Sequence, residues 1–87
     1  MISRTTPAFW RCLNALSPQD QQAAKKAYDL LMADCGHRSL RFKKLEGEAD
    51  VWSVRVNLNL RAVAHRSGDT VMWFWIGTHK EFDHLFA

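Results

Sequence analysis

Hydrophobic positions along the chain recur first every three to four residues and then every two. Phe9, Leu13 and Leu16 fall at i, i+4 and i+7, one apolar face of a helix. Thr6-Pro7 supplies an N-cap and a first helical residue, so the spacing predicts a helix from Pro7 to Leu16. Ser17-Pro18 repeats the start signal: Ser17 is placed to cap the Asp20 amide, and the Asp20 carboxylate suits the positive end of a helix dipole. Ala24, Ala27, Tyr28, Leu31 and Cys35 then share a face, and Gly36 is a good terminator. Two helices joined this tightly predict a helical hairpin.

After Gly36 the period drops to two. Leu40 and Phe42 alternate with Arg41 and Lys43, and Glu46-Gly47-Glu48-Ala49-Asp50 reads as a loop. Trp52, Val54 and Val56 alternate with Ser53, Arg55 and Asn57. A turn at Asn57-Leu58-Asn59 leads to a strand in which Arg61, Val63 and His65 oppose Leu60, Ala62 and Ala64. Ser67-Gly68-Asp69 is a hairpin turn. Val71 to Ile76 is continuously apolar, as in a central strand covered on both faces, with Trp73 and Trp75 on one face by simple alternation. Thr78 and Glu81 then form a capping box for a terminal helix over 79–86. Residues 2–5 read as a short edge strand or an ordered arm. The expected fold is α+β: an N-terminal helical hairpin packed on a four-strand antiparallel sheet, with a short C-terminal helix.

Composition sharpens this picture. Eighty-seven residues make a single domain, 1–87, and 47% hydrophobic content favours a packed globule over a disordered chain. Cys12 and Cys35 are isolated from each other and from histidines, so no metal site and no cofactor is expected; both read as buried free thiols of a reducing compartment. The opening residues do not resemble a signal peptide, and no apolar run approaches the roughly 20 residues of a membrane span. A cytoplasmic protein that does not engage a membrane is expected.

The formal net charge is +3, and its distribution matters more than its size. Arg38, Arg41, Lys43, Lys44, Arg55, Arg61 and Arg66 crowd one stretch, opposed by Glu46, Glu48 and Asp50 in the loop. Such a surface suits a phosphate backbone. Arg55 and Arg61 flank one turn, so a tight turn projects both onto one sheet face, opposite Trp52, Val54 and Val56. Paired strand arginines hold a phosphodiester bidentately and stabilise developing charge; the same residues on an open face are otherwise ordinary solvated cations. His79 follows the central strand at the start of a helix, where an imidazole is suited to proton transfer, or is simply a surface histidine.

The ordered segments Phe42-Lys43-Lys44-Leu45, Ser53-Val54-Arg55-Val56, Leu60-Arg61-Ala62-Val63 and Trp75-Ile76-Gly77-Thr78-His79-Lys80-Glu81-Phe82-Asp83 resemble the RelE/ParE toxin superfamily. The resemblance spans nearly the whole chain. It implies a microbial-RNase-like fold and the toxin of a type II toxin–antitoxin pair, with a cognate antitoxin, the ribosome and mRNA as partners. RelE-like members cleave mRNA on the ribosome without a metal, through attack of the RNA 2′-hydroxyl on the scissile phosphate. Carried over by position, Arg61, His79, Arg55 and Lys44 are the implied catalytic residues, and Lys43, Arg41, Lys80 and Phe82 the implied RNA-binding ones. Two departures stand out. Many relatives carry a tyrosine where this chain has Phe82, whose ring is able to stack on a base but moves no proton. Ser53 stands where some relatives have a further strand lysine. The alternative within the superfamily is a ParE-like toxin that inhibits DNA gyrase by binding.

Overall fold

The computed structural model describes residues 1–47 and 49–86; Glu48, expected in the loop, lies outside the described residues. Nine short elements follow one another: β1 (Ile2–Thr5), α1 (Pro7–Asn14), α2 (Pro18–Ala33), a 3-10 turn (Arg38–Leu40), β2 (Lys43–Lys44), β3 (Val51–Arg55), β4 (Leu60–Ser67), β5 (Thr70–Thr78) and α3 (His79–Phe86). Both predicted N-caps form. Thr6 Oγ1 accepts from the Phe9 amide at 3.2 Å, and Ser17 Oγ accepts from the Asp20 amide at 3.1 Å.

The sheet has five strands in the order β1-β5-β4-β3-β2. The expectation of four antiparallel strands is therefore corrected: residues 2–5 are a fifth strand, and β1 runs parallel to β5, making the sheet mixed. The reason lies in the connection. The helical hairpin carries the chain from β1 to β2 at the far edge of the sheet, and three successive antiparallel turns from β2 to β5 bring β5 back beside β1 in the same direction. Thr6 extends this attachment, its amide and hydroxyl each donating to the Trp73 carbonyl at 3.1 Å.

Two further expectations change. The strand predicted from Leu40 shrinks to Lys43–Lys44, because the His37 ring accepts from the Ser39 amide at 3.2 Å and starts the 3-10 turn, which ends on Arg41 at φ 45°. The second helix stops at Ala33, short of Cys35, where the Asp34 carboxylate accepts from the Gly36 amide two residues ahead. Cys35 is consequently exposed, and Cys12 is half-buried; neither is the fully buried thiol expected.

The alternation of β5 breaks once. Val63 pairs with Trp75, but Ala64 pairs with Trp73, which leaves Phe74 as the extra residue of a bulge. One inserted residue reverses which face later side chains occupy. Trp73 thus packs with Ala27, Leu31, Val54 and Ala62 under the helical hairpin, while Trp75 turns to the other face beside Phe82 and Phe86. The expectation that both indoles share a face is overturned by this bulge. It divides the core into a larger layer under α1 and α2 and a smaller aromatic layer under α3.

The capping box of α3 forms as expected. Thr78 Oγ1 accepts from the Glu81 amide (3.1 Å), and Glu81 Oε1 accepts from the Thr78 amide (3.0 Å) and hydroxyl (2.9 Å). Those bonds from the Thr78 backbone and side chain hold the Glu81 carboxyl below its usual value of 4.5.

Trp73 is 4% exposed, and its Nε1 donates to Ser3 Oγ at 3.1 Å. Trp73→Ala is expected to cost about 3–5 kcal/mol in urea unfolding, and Trp73→Phe, which mainly loses the bond, about 1–2 kcal/mol. Equal costs for the two would remove Trp73 from the core. For Glu81, a depressed folded pKa means stabilisation that is fully present above the unfolded value and lost as the pH falls through the folded one. Glu81→Ala should therefore lower the melting temperature at neutral pH and lower it progressively less as the pH drops below 4.5. A pH-independent effect would show that the carboxylate does not carry the cap.

Candidate functional site

The site grows out of the β3–β4 hairpin. Arg55 pairs directly with Arg61 across the ladder, so both side chains leave the same face. Ser53, two residues before Arg55, shares that face and pairs with Lys43 on the edge strand. On the other side Arg61 pairs with Gly77 of β5, and His79 follows as the first residue of α3. A Cβ on Gly77 would come within 2.6 Å of the Trp75 indole, so this position has to stay bare for Trp75 to lie along the base of α3.

These residues line one groove between the sheet and α3. Its cationic wall is Arg41, Lys43, Arg55 and Arg61; His79, Asp83 and Glu46 stand at its rim; Phe82 and Phe86 lie along its base. Its volume, about 530 Å³, is within the roughly 300–1,000 Å³ of small-molecule pockets. The wall of cations, where such pockets are mostly apolar, points instead to an anionic ligand. A second cavity of about 60 Å³, under α2, is lined by Phe9, Ala24, Leu31 and Trp73 and offers no comparable chemistry.

Arg61 is the most constrained of these cations. It is half-buried, and its Nη1 donates to the Asn57 carbonyl at 2.8 Å and to the Leu60 carbonyl at 3.0 Å. Burial, then the neighbouring Arg55 and Arg41 cations, hold it below the usual guanidinium range, while Asp83 pulls the other way. A guanidinium stays protonated at neutral pH regardless. Arg55 is steadied by one bond, Nε to the Ser39 carbonyl at 3.1 Å. His79 Nε2 lies 3.3 Å from Asp83 Oδ2, one turn further along α3, and its amide donates to the Asn59 carbonyl at 2.7 Å. Among the described residues, no three His, Cys, Asp or Glu side chains converge as metal ligands would.

The structure thus brings together Arg41, Lys43, Arg55, Arg61 and His79. It does not bring Lys44 with them. The register pairs Lys44 with Trp52, whose ring lies 4.5 Å from the Arg66 guanidinium on the opposite face. Two adjacent strand residues cannot share a face, and Lys43 takes the groove side. Lys80 is exposed and sits with Glu81, His84 and Leu85 on another side of α3. Phe82 reaches the groove only as part of its base: it is 8% exposed and packs against Trp75 and Phe86. Asp83, Glu46 and Ser53 line the groove and were missed as site residues. The i, i+4 spacing of His79 and Asp83 and the alternation of Ser53 with Arg55 were both visible in the sequence. Glu46 left no signal beyond its loop.

No curated protein matches this sequence. The fold is similar to that of a chain in the RelB–RelE antitoxin–toxin complex from Methanococcus jannaschii, with TM-score 0.74 and 18% identity over 97% of this chain and 99% of that one. It is similar to YafQ from Escherichia coli, with TM-score 0.73 and 10% identity over 92% and 94% of the two chains. A YoeB/ParE toxin from Agrobacterium tumefaciens gives TM-score 0.64 and 21% identity over 91% and 99%. The family model of the ParE-like toxin domain matches residues 18–84, which takes in α2, the sheet from β2 to β5, most of α3 and all four cations of the groove wall. This protein belongs to the ParE-like toxin domain family, within the RelE/ParE superfamily of toxin–antitoxin systems.

Proposed function

We propose that this toxin is a ribosome-dependent mRNA endonuclease that cleaves by attack of the RNA 2′-hydroxyl on the adjacent phosphate and so inhibits translation. The observation that carries the reading is the order of groups across the groove. Lys43 on β2 and His79 on α3 flank the Arg55–Arg61 pair from opposite sides. In-line displacement asks for such an order: a base on one side of phosphorus, an acid on the other, and cations between.

In this mechanism the His79 imidazole takes the 2′-hydroxyl proton as the O2′–P bond forms. Arg61 and Arg55 neutralise the equatorial oxygens of the phosphorane. The P–O5′ bond then breaks, and the Lys43 ammonium gives a proton to the departing 5′-oxygen. The products are a 2′,3′-cyclic phosphate and a 5′-hydroxyl. Because Arg61 is already held by two carbonyls, it meets the phosphorane with little reorganisation, which is where electrostatic catalysis gains most. Arg41 extends the cationic track for the neighbouring phosphate. Phe82 supports the groove and moves no proton, so the duty a tyrosine could hold falls to His79.

A cognate antitoxin is the expected partner. The RelE of Methanococcus jannaschii was solved in complex with its RelB antitoxin, which supports a paired arrangement here. The match to a ParE-like domain favours one second reading, inhibition of DNA gyrase by binding.

Brief expression in a bacterial host, with mRNA 5′ ends mapped alongside a DNA-damage reporter, separates the two. Codon-phased cleavage with a silent reporter is expected; reporter induction without cleavage would establish the gyrase reading instead. Within the nuclease reading, Arg61→Ala should slow cleavage by about 10²–10³-fold, the usual loss for one preorganised charge donor, while the protein stays folded by circular dichroism. A fully active Arg61→Ala protein would dismiss the mechanism. The face assignment gives a sharper comparison. Lys43→Ala should slow cleavage at least about tenfold, a typical loss for a general acid, and Lys44→Ala should leave it near wild type. The reverse ranking would place the scissile phosphate on the other face of the sheet.

A further inference from the structure

Arg61 and His79 are held by the same short piece of backbone. Arg61 Nη1 rests on the carbonyls of Asn57 and Leu60, and the His79 amide rests on the carbonyl of Asn59. All three acceptors belong to the β3–β4 turn. The Leu60 carbonyl also closes the hairpin, accepting from the Val56 amide at 3.0 Å. The groove's most constrained cation and its imidazole-bearing residue therefore depend on one turn keeping its shape.

A single side chain braces that turn. Asn57 Oδ1 accepts from the Asn59 amide at 2.8 Å and from the Leu60 amide at 2.9 Å. The backbone does not demand asparagine here. Among the described non-glycine residues only Arg41 and Asp50 have positive φ, so Asn57 is not in the left-handed conformation that asparagine tolerates. What the position uses is the side-chain oxygen. It satisfies two amides that would otherwise look to water: the Leu60 amide shares its peptide unit with the Asn59 carbonyl that holds His79, and both amides lie between the Asn57 and Leu60 carbonyls that hold Arg61.

We infer that Asn57 is a positioning residue: by bracing the turn at the Asn59 and Leu60 amides it sets where the Arg61 guanidinium and the His79 backbone stand relative to each other. It touches neither substrate nor reacting atoms. Asp83 alone does not do this work, since it meets the exposed His79 ring at 3.3 Å but leaves the backbone free. The catalytic part of the inference rests on the nuclease reading above; the structural part does not.

The test uses purified full-length toxin, programmed ribosomes and steady-state cleavage, together with amide hydrogen exchange on the free protein. Asn57→Ala should lower kcat about 100-fold with KM changed less than about threefold, the pattern of a displaced reacting group rather than of lost binding. Asn57→Asp, which keeps an acceptor oxygen, should restore most of kcat. In exchange, the His79 amide should lose protection in Asn57→Ala and keep it in Asn57→Asp. Wild-type kcat in Asn57→Ala, an aspartate variant no faster than the alanine one, or unchanged His79 protection would each overturn the inference. If the wild-type protein itself cleaves nothing, the nuclease reading falls, and His79 protection in the alanine variant still decides whether Asn57 positions the turn.

Discussion

The extra residue at Phe74 is the constraint on which the remainder of the architecture depends. Without a bulge, a nine-residue strand such as β5 would send Trp73 and Trp75 to the same face. Both indoles would crowd the layer under the helical hairpin, and the opposite face would keep Phe74 but lose Trp75 from beneath α3. With the bulge, Phe74 and Trp75 both serve the second face, where they meet Phe82 and Phe86 at centroid distances of 5.3–6.5 Å. That aromatic layer gives α3 something to stand on. Since α3 begins with His79, the position of the imidazole side of the groove is a consequence of one irregular pairing between Val63 and Ala64.

The other side of the groove is governed by charge rather than packing. Arg55 and Arg61 face each other across a ladder position at which like charges are destabilising. The protein keeps them there by giving each guanidinium carbonyl partners: Ser39 for Arg55, Asn57 and Leu60 for Arg61. Carbonyls orient a cation without cancelling it, whereas a carboxylate would neutralise it. The net field is left for a ligand. An anion placed between the two guanidinium groups would relieve that like-charge repulsion.

Much of this was legible in the sequence, and the reasons for the exceptions are specific. Both N-caps, the α3 capping box and the Arg55–Arg61 pairing follow from local rules, because a cap or a two-strand turn is decided by residues within a few positions of one another. Three features were not local. The parallel pairing of β1 with β5 joins residues nearly 70 positions apart, and a four-residue stretch carries no mark of its partner. The bulge at Phe74 is hidden inside a run where every residue is apolar, so alternation has nothing to read. The choice of Lys43 over Lys44 depends on register at a two-residue edge strand, where a slip of one position exchanges the faces. The candidate site was therefore recognisable as a set of cations and one histidine, but the membership of the set needed the sheet.

The replacement of a tyrosine by Phe82 looks different once α3 is in place. At 8% exposure the ring is committed to Trp75 and Phe86, and a hydroxyl added there would need either a partner or a path to the groove. Phenylalanine at this position strengthens the anchor of α3 instead. The helix is only eight residues long, too short to persist on its own, and is held by two aromatic side chains and a capping box. Elements of this kind lie at the low-stability end of a fold and open before the rest. The His79 side of the groove thus sits on the part of the molecule easiest to displace, whereas the arginine side sits on central strands that open last. A partner that captured α3 would remove His79 while leaving the cations in place, and the two halves of the candidate site would separate along the boundary that the bulge at Phe74 creates.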